Sequence, residues 1–211
     1  MYLALDGVIG VGKTSLARLL QPTFGAQVLL EVFEENPFLS DFYGDRARYA
    51  FQTQIFFLLS RYHQQRQAPE LLQQGSLIAD YTFAKDALFA GINLSGDELV
   101  LYTRLHTALA DKIPKPDLVV YLRAPTPVLL DRIARRGRPY EQQMDPAYIA
   151  TLNHAYDDYF AQPAASPVLT LDCQDLDFVN RPADLACVAE RIQGALGAGS
   201  YQAPLPLGNA A

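Results

Sequence analysis

Cysteine is scarce in this 211-residue chain: Cys173 and Cys187 are its two, at no metal-ligand spacing and with no dense disulfide framework. They are expected to be inert packing residues in a reducing compartment. The three histidines, His63, His106 and His154, fall in separate helical patterns and share no ligand spacing, so none is assigned to metal or catalysis. Positive charge is also in deficit. With 17 Lys and Arg against 23 Asp and Glu, the formal net charge is −6, and phosphates would need a net basic face, so a general nucleic-acid or membrane surface is excluded. Any anion site must be local. Long apolar runs are missing too: residues 49–60, the longest uncharged run of the aromatic-rich part, cannot span a bilayer, and no charged leader precedes an apolar stretch. The expectation is a soluble, unexported, cytoplasmic protein with neither nucleic acid nor membrane as partner. No internal repeat occurs, and no Pro- or Gly-rich linker divides the chain before residue 196. That leaves one domain over residues 1–196, with 197–211 expected to be a flexible tail because they carry no periodic apolar face.

Half of the residues are hydrophobic, enough for a substantial core. Short, near-continuously apolar runs at 2–5, 28–30, 77–79, 118–122 and 168–171 read as strands covered on both faces. Between them lie helical patterns at 13–20, 46–73, 96–112, 126–135, 146–160 and 182–195. The alternation predicts an α/β fold with a doubly wound, five-stranded parallel sheet and helices on both faces.

The octet Gly7-Val8-Ile9-Gly10-Val11-Gly12-Lys13-Thr14, continued by Ser15, fits GxxxxGK[ST] and lies between the first strand and the first helix, as that motif requires. Glycines let the backbone curl so that successive N–H groups and a helix N-terminus face phosphate oxygens. Lys13 is then placed to neutralise the terminal phosphates and Thr14 to ligate Mg2+. A nucleoside triphosphate is implied; the acceptor is not.

The guanine-reading Asn-Lys-x-Asp segment of a regulatory GTPase is missing, and a motor or transport ATPase would be a longer chain. A small-molecule kinase fits better. Glu31 stands just past the second strand, at the sheet end where ligands bind, and is placed to take a proton from an acceptor hydroxyl. Asp80, at the end of the third strand, is placed to hold Mg2+ directly or through water. Arg132, Arg135, Arg136 and Arg138 form a cation cluster at a helix end, suited to phosphate oxygens on a closing lid, with Arg135 assigned to an ordinary solvated helix end. Each feature taken singly is commonplace in a stable domain; their order along one chain gives them weight. A nucleoside monophosphate kinase and a nucleotide-binding module without transfer activity remain open at this point.

The stretches GVIGVGKTS (7–15), EENPFLSDFY (34–43), RYAFQTQIFFL (48–58), DYTFAKD (80–86), PDLVVYLRA (116–124), RRGRPYEQ (135–142) and LDFV (176–179) together resemble the deoxyribonucleoside kinase family, particularly its short bacterial purine-specific branch. The resemblance implies a P-loop kinase fold with an arginine-rich lid, ATP as donor, Mg2+, a homodimer, and transfer to the 5′-hydroxyl of a deoxynucleoside. It also implies roles: Glu31 as catalytic base, Gln52 on the base edge, Tyr43 and Glu141 on the sugar 3′-hydroxyl, and Asp86 reading the base. Arg136 and Arg138 match phosphate-contacting arginines, Arg132 the arginine that stacks on the donor adenine, and Asp177 and Phe178 belong to the loop around that adenine. Two positions depart from the pattern. Val32 replaces a common proline, and Tyr81 stands where an arginine helps to position the acceptor oxygen; Arg61 or a lid arginine is the expected substitute. The Asp80-Tyr81 form resembles the guanine-directed members of that branch more than the adenine-directed ones, so the resemblance implies guanine over adenine as the acceptor base.

Overall fold

The alternating runs form one parallel sheet in a computed structural model that describes residues 1–141 and 144–199. Its strands are β1 (Tyr2–Gly7), β2 (Ala26–Leu29), β3 (Ser76–Ala79), β4 (Leu118–Arg123) and β5 (Val168–Asp172), in the spatial order β2-β3-β1-β4-β5. All neighbours pair in parallel, as expected for strands that read as continuous apolar runs. The helices are α1 (Lys13–Phe24), α2 (Leu39–Gly44), α3 (Arg46–Gln65), α4 (Ala68–Gln74), α5 (Lys85–Asn93), α6 (Gly96–Ala110), α7 (Thr126–Arg136), α8 (Pro146–Phe160) and α9 (Pro182–Gly199).

Register decides which helices cover which face. Leu3 pairs with Ile78 and Leu118, and Leu5 with Val120, so this set shares one face, against which α1 and α9 pack. Tyr2, Ala4, Leu77 and Ala79 point the other way, onto Ala68, Leu71 and Leu72 of α4. On that same side Tyr121 donates to Asp157 of α8 and stacks on Phe160 at 4.3 Å. Burial on both faces is what holds the sheet: each fully enclosed aliphatic side chain contributes about 1.5–3 kcal/mol. Because β1 is central, the chain crosses over it between β3 and β4, and a crevice opens at the carboxyl ends of β1, β2 and β3.

Three expectations need correction. The helix predicted over 46–73 is two helices, interrupted after Gln65. Pro69 has no N–H to offer the Gln65 carbonyl, so it sits in the first turn of α4 rather than inside α3. Helix α5 escaped prediction because it is short and contains Gly91, a weak helix former, so that no periodic face shows. Helix α9 continues to Gly199, past the boundary expected at residue 197; residues 200–211, the rest of the expected tail, lie outside the described residues.

Candidate active site

The loop after β1 curls as its glycines require. Gly10 and Gly12 have φ of +88° and +108°. A Cβ at Gly10 would lie 2.7 Å from the Ile133 side chain and 2.9 Å from the Leu129 carbonyl, and one at Gly12 would lie 2.9 Å from the Phe178 ring. The cradle is thus wedged between α7 and the 176–179 loop, and a side chain at either position would pry it open. Val8 and Val11 are buried in the core, so their expected contribution to triphosphate binding is backbone and not side chain. Lys13, the first residue of α1, folds back to donate to the Gly7 and Val8 carbonyls at 2.6 and 3.1 Å. Burial, reinforced by the like charge of Lys85, pushes the Lys13 ammonium down to about 8.

Short hydrogen bonds tie the three strand ends together. Thr14 donates to Asp80 Oδ2 at 2.5 Å, and the Glu31 N–H donates to Asp80 Oδ1 at 2.7 Å. Beneath them, buried Asp6 accepts from the Gly7 N–H at 2.8 Å, from the Tyr156 hydroxyl at 3.1 Å and from the Thr82 hydroxyl. Asp6 was missed in the sequence because it belongs to the strand run itself. Thr14 and Asp80 place a hydroxyl and a carboxylate side by side beside the phosphate cradle. Hard oxygen donors of that kind, completed by phosphate oxygens, suit Mg2+.

Glu31 is clamped by two cations. Arg61 donates through Nε to Oε1 at 2.8 Å and through Nη2 to the same oxygen, while Lys85 Nζ donates to Oε2 at 2.6 Å. Arg61 also pairs with Asp86 through Nη1 and lies 4.5 Å over the Phe57 ring. Burial alone would raise the Glu31 carboxyl, but Arg61 and then Lys85 outweigh it and hold the group well below the ordinary carboxylate range. Two cations therefore stand at Glu31 where the sequence has Tyr81 in place of an arginine: Arg61, one of the candidates the sequence offered, and Lys85, which nothing in the sequence marked. The Tyr81 ring lies 5.6 Å from Lys85 Nζ, and its hydroxyl donates to Gln64.

The cleft in front of Glu31 is closed by the lid and by α3. Arg136 donates to both Glu141 oxygens, at 3.1 and 2.6 Å, and Arg138 lies 3.6 Å from Glu141 and 4.1 Å over Phe33. Tyr43 stacks on Tyr140, and burial raises its phenol well above the usual value. Gln52 does not join them. It is exposed, whereas Gln54 lines the cleft with its Oε1 lacking a hydrogen-bond partner. Two residues turn a helix by about 200°, so Gln52 and Gln54 face opposite ways. The seven-residue spacing from Gln54 to Arg61 puts that pair on one face, a signal that could have found it. Asp86 is likewise placed otherwise than expected: it is fully buried behind Arg61 and is not among the residues that line the cleft.

A second cleft lies across the loop, lined by Arg132, Asp177, Phe178, Asn180 and Arg181, and it shares Gly10, Gly12, Ser15 and Arg136 with the first. Arg132 is tethered beneath it, donating to the carbonyls of Val11, Cys173 and Leu176 at 3.2, 2.8 and 3.2 Å. Asp177 accepts from Asn180 and fixes the loop's turn. Burial raises the neighbouring Cys173 thiol to about 11, as suits a packing residue. The phosphate loop and Arg136 thus stand where two clefts meet, the arrangement a phosphoryl transfer between two bound molecules needs.

A family model described as deoxynucleoside kinase matches residues 3–196. The chain is 36% identical over 198 residues to a deoxyguanosine kinase of Bacillus subtilis (strain 168), covering 91% of this chain and 96% of that one. It is 30% identical over 198 residues to a deoxyadenosine/deoxycytidine kinase of the same organism, covering 90% of each. Among solved structures, a deoxyadenosine kinase from M. mycoides with dCMP and dCDP bound superposes with a TM-score of 0.82 at 26% identity, covering 92% of this chain and 100% of that one. The chain belongs to the deoxynucleoside kinase family. It has that family's P-loop kinase fold, and it is a phosphotransferase whose acceptor is a deoxynucleoside.

Proposed function

We propose that this kinase transfers the terminal phosphoryl group of ATP to the 5′-hydroxyl of a purine 2′-deoxynucleoside, deoxyguanosine in preference to deoxyadenosine. The observation that carries the reading is that Glu31, Lys13 and the Thr14–Asp80 pair open onto one cleft. Glu31 takes the proton of the attacking hydroxyl, and Lys13 with Arg136 and Arg138 steadies charge on the moving group. Thr14 and Asp80 hold Mg2+, which when bound draws charge from the phosphate oxygens. Tyr43 and Glu141 hold the sugar, Gln54 and Arg61 face the acceptor base, and Arg132, Asp177 and Phe178 border the donor base.

Chemistry at Arg61 supports guanine. Three of its five N–H groups are engaged by Glu31 and Asp86, and the remainder can only donate. Guanine presents two acceptors, O6 and N7, to such a fork, whereas adenine presents one acceptor and one donor. Relatives named for deoxyguanosine point the same way. The enzyme acts as a cytoplasmic homodimer in this reading. Leu59 of α3 and Val100, Leu101 and Leu105 of α6 supply exposed apolar side chains on two neighbouring helices, and no helix among the described residues is long and apolar enough to cross a membrane.

The test is transfer from labelled ATP to the four deoxynucleosides and their ribose counterparts. Deoxyguanosine is expected to lead, deoxyadenosine to follow and ribonucleosides to trail. A pyrimidine preference overturns the purine assignment, and absence of transfer to every nucleoside overturns the whole reading.

A further inference from the structure

A carboxylate with both oxygens held by cations is a poor base, so one of the two ion pairs at Glu31 has to open before an acceptor hydroxyl can give up its proton there. The geometry decides which. Arg61 is held by two carboxylates, Glu31 and fully buried Asp86, and lies over the Phe57 ring; its side chain and that of Lys85 are equally buried, at 5% exposed. Moving it away would strand the Asp86 carboxylate in the interior without a partner. Lys85 has no second carboxylate: among the described residues, Glu31 is the one group that its Nζ hydrogen-bonds, with the Tyr81 ring 5.6 Å away. Its backbone is pinned, since its N–H donates to Thr82 Oγ1 at 3.3 Å, but the ammonium rides on a flexible four-carbon stem. Oε2 is therefore the basic oxygen, and Lys85 is the cation that yields it.

A displaced ammonium in a buried cleft needs a new anion. Lys85 lines the same cleft as Lys13, Thr14 and Arg136, and the anion that enters there is the donor triphosphate. We propose that Lys85 is a two-position cation, which guards Glu31 Oε2 in the resting cleft and shifts to the oxygens of the transferring phosphoryl group when the acceptor hydroxyl takes its place. In the step that follows, the acceptor oxygen bonds to the terminal phosphorus. The bond from that phosphorus to the bridging oxygen breaks, the nucleoside diphosphate leaves, and the hydroxyl proton passes to Oε2. Lys85 meets charge on the moving group; after product release the proton leaves Oε2 to solvent, and Lys85 returns to the Glu31 carboxylate.

This rests on the function proposed above, and it has a consequence that a structural lysine lacks. Acceptor and triphosphate bind cooperatively, because each favours the same position of one ammonium. Calorimetry of the full-length wild type should show deoxyguanosine binding about tenfold tighter in the presence of a non-hydrolysable β,γ-imido ATP analogue. In Lys85→Met the tightening should vanish, deoxyguanosine alone should bind as well as or better than to wild type, and kcat should fall about a hundredfold. Lys85→Arg, which keeps the charge, should recover part of both the coupling and kcat. Unchanged kcat in Lys85→Met, or lost kcat with weakened acceptor binding and intact coupling, would overturn the proposal. Should Lys85→Met not fold, equal deoxyguanosine affinity in wild type with and without the analogue overturns it just as well. Failure of the underlying reading looks different: wild type then transfers phosphate to no deoxynucleoside at all.

Discussion

Replacing Glu31 with Gln keeps the shape of the side chain and one oxygen acceptor while removing the charge that holds two buried cations. Two losses follow, and they separate experimentally. The chemical loss is the general base, which contributes about 10²–10⁴ in rate, so kcat should drop by that factor while an ATP analogue still binds as well as or better than to wild type. The structural loss falls on Lys85, since Arg61 keeps Asp86 as a partner whereas Lys85 is left facing a neutral amide. The Glu31 side chain is 14% exposed, so some water reaches the pair, and a cost at the lower end of the buried-pair range, about 3 kcal/mol, is expected. For a chain of this size that corresponds to a Tm lower by about 6–12 °C. Its pH dependence has a definite sign. The cations hold the folded carboxyl below its unfolded value, so the stabilisation is fully present above about pH 4.3 and is lost as pH falls through the folded value. The Tm gap between wild type and Glu31→Gln should therefore stay constant from about pH 7 to 5 and narrow only in stronger acid. Circular-dichroism melts across pH, with steady-state kinetics on the folded variant, check both parts. Turnover within threefold of wild type, in about the range of ordinary surface substitutions, would remove Glu31 from the base role.

Two further outcomes follow from the site. Gln54→Ala should lower kcat/KM for the acceptor about 10–100-fold, as loss of a base-edge hydrogen bond does, without loss of Tm because its buried Oε1 has no partner to forfeit; Gln52→Ala, on the exposed face, should stay within about twofold. At Lys13, whose ammonium is held down to about 8 in the free protein, a bound triphosphate favours the charged form, so binding should take up about half a proton at pH 8 and nearly one at pH 9. Calorimetry in buffers of different ionisation enthalpy measures that uptake, and a value near zero at pH 9 refutes the assignment.

Much of the fold was legible because its causes are local or repeated. Five apolar runs gave five parallel strands, since a strand enclosed on both faces cannot tolerate polar residues at alternate positions. The phosphate loop was readable for a stricter reason: φ values of +88° and +108° demand glycine, and neighbours close enough to clash with any Cβ leave no other choice. Breaks and short helices were harder. The interruption before Pro69 hinges on one missing N–H, and α5 is too short to display a period.

The site divided along the same physical line. Glu31, Asp80 and Thr14 follow strand ends or the loop, where backbone position alone fixes the side chain's location, and the structure brings all three together. Gln52 and Gln54 sit on a helix, where a shift of two residues reverses the face, so a correct residue type at a plausible place still pointed to solvent. Lys85 was invisible for a further reason. Its meaning comes from Glu31, 54 positions earlier, and from Arg61 being committed to Asp86, relations that no local pattern encodes. An acidic chain that gathers Lys13, Arg61, Lys85, Arg136 and Arg138 around one cleft has concentrated cations where a triphosphate must be neutralised. With Arg61 anchored and Lys85 free to move, that concentration serves two tasks in turn: holding the empty cleft together, then yielding a basic oxygen when both substrates are in place.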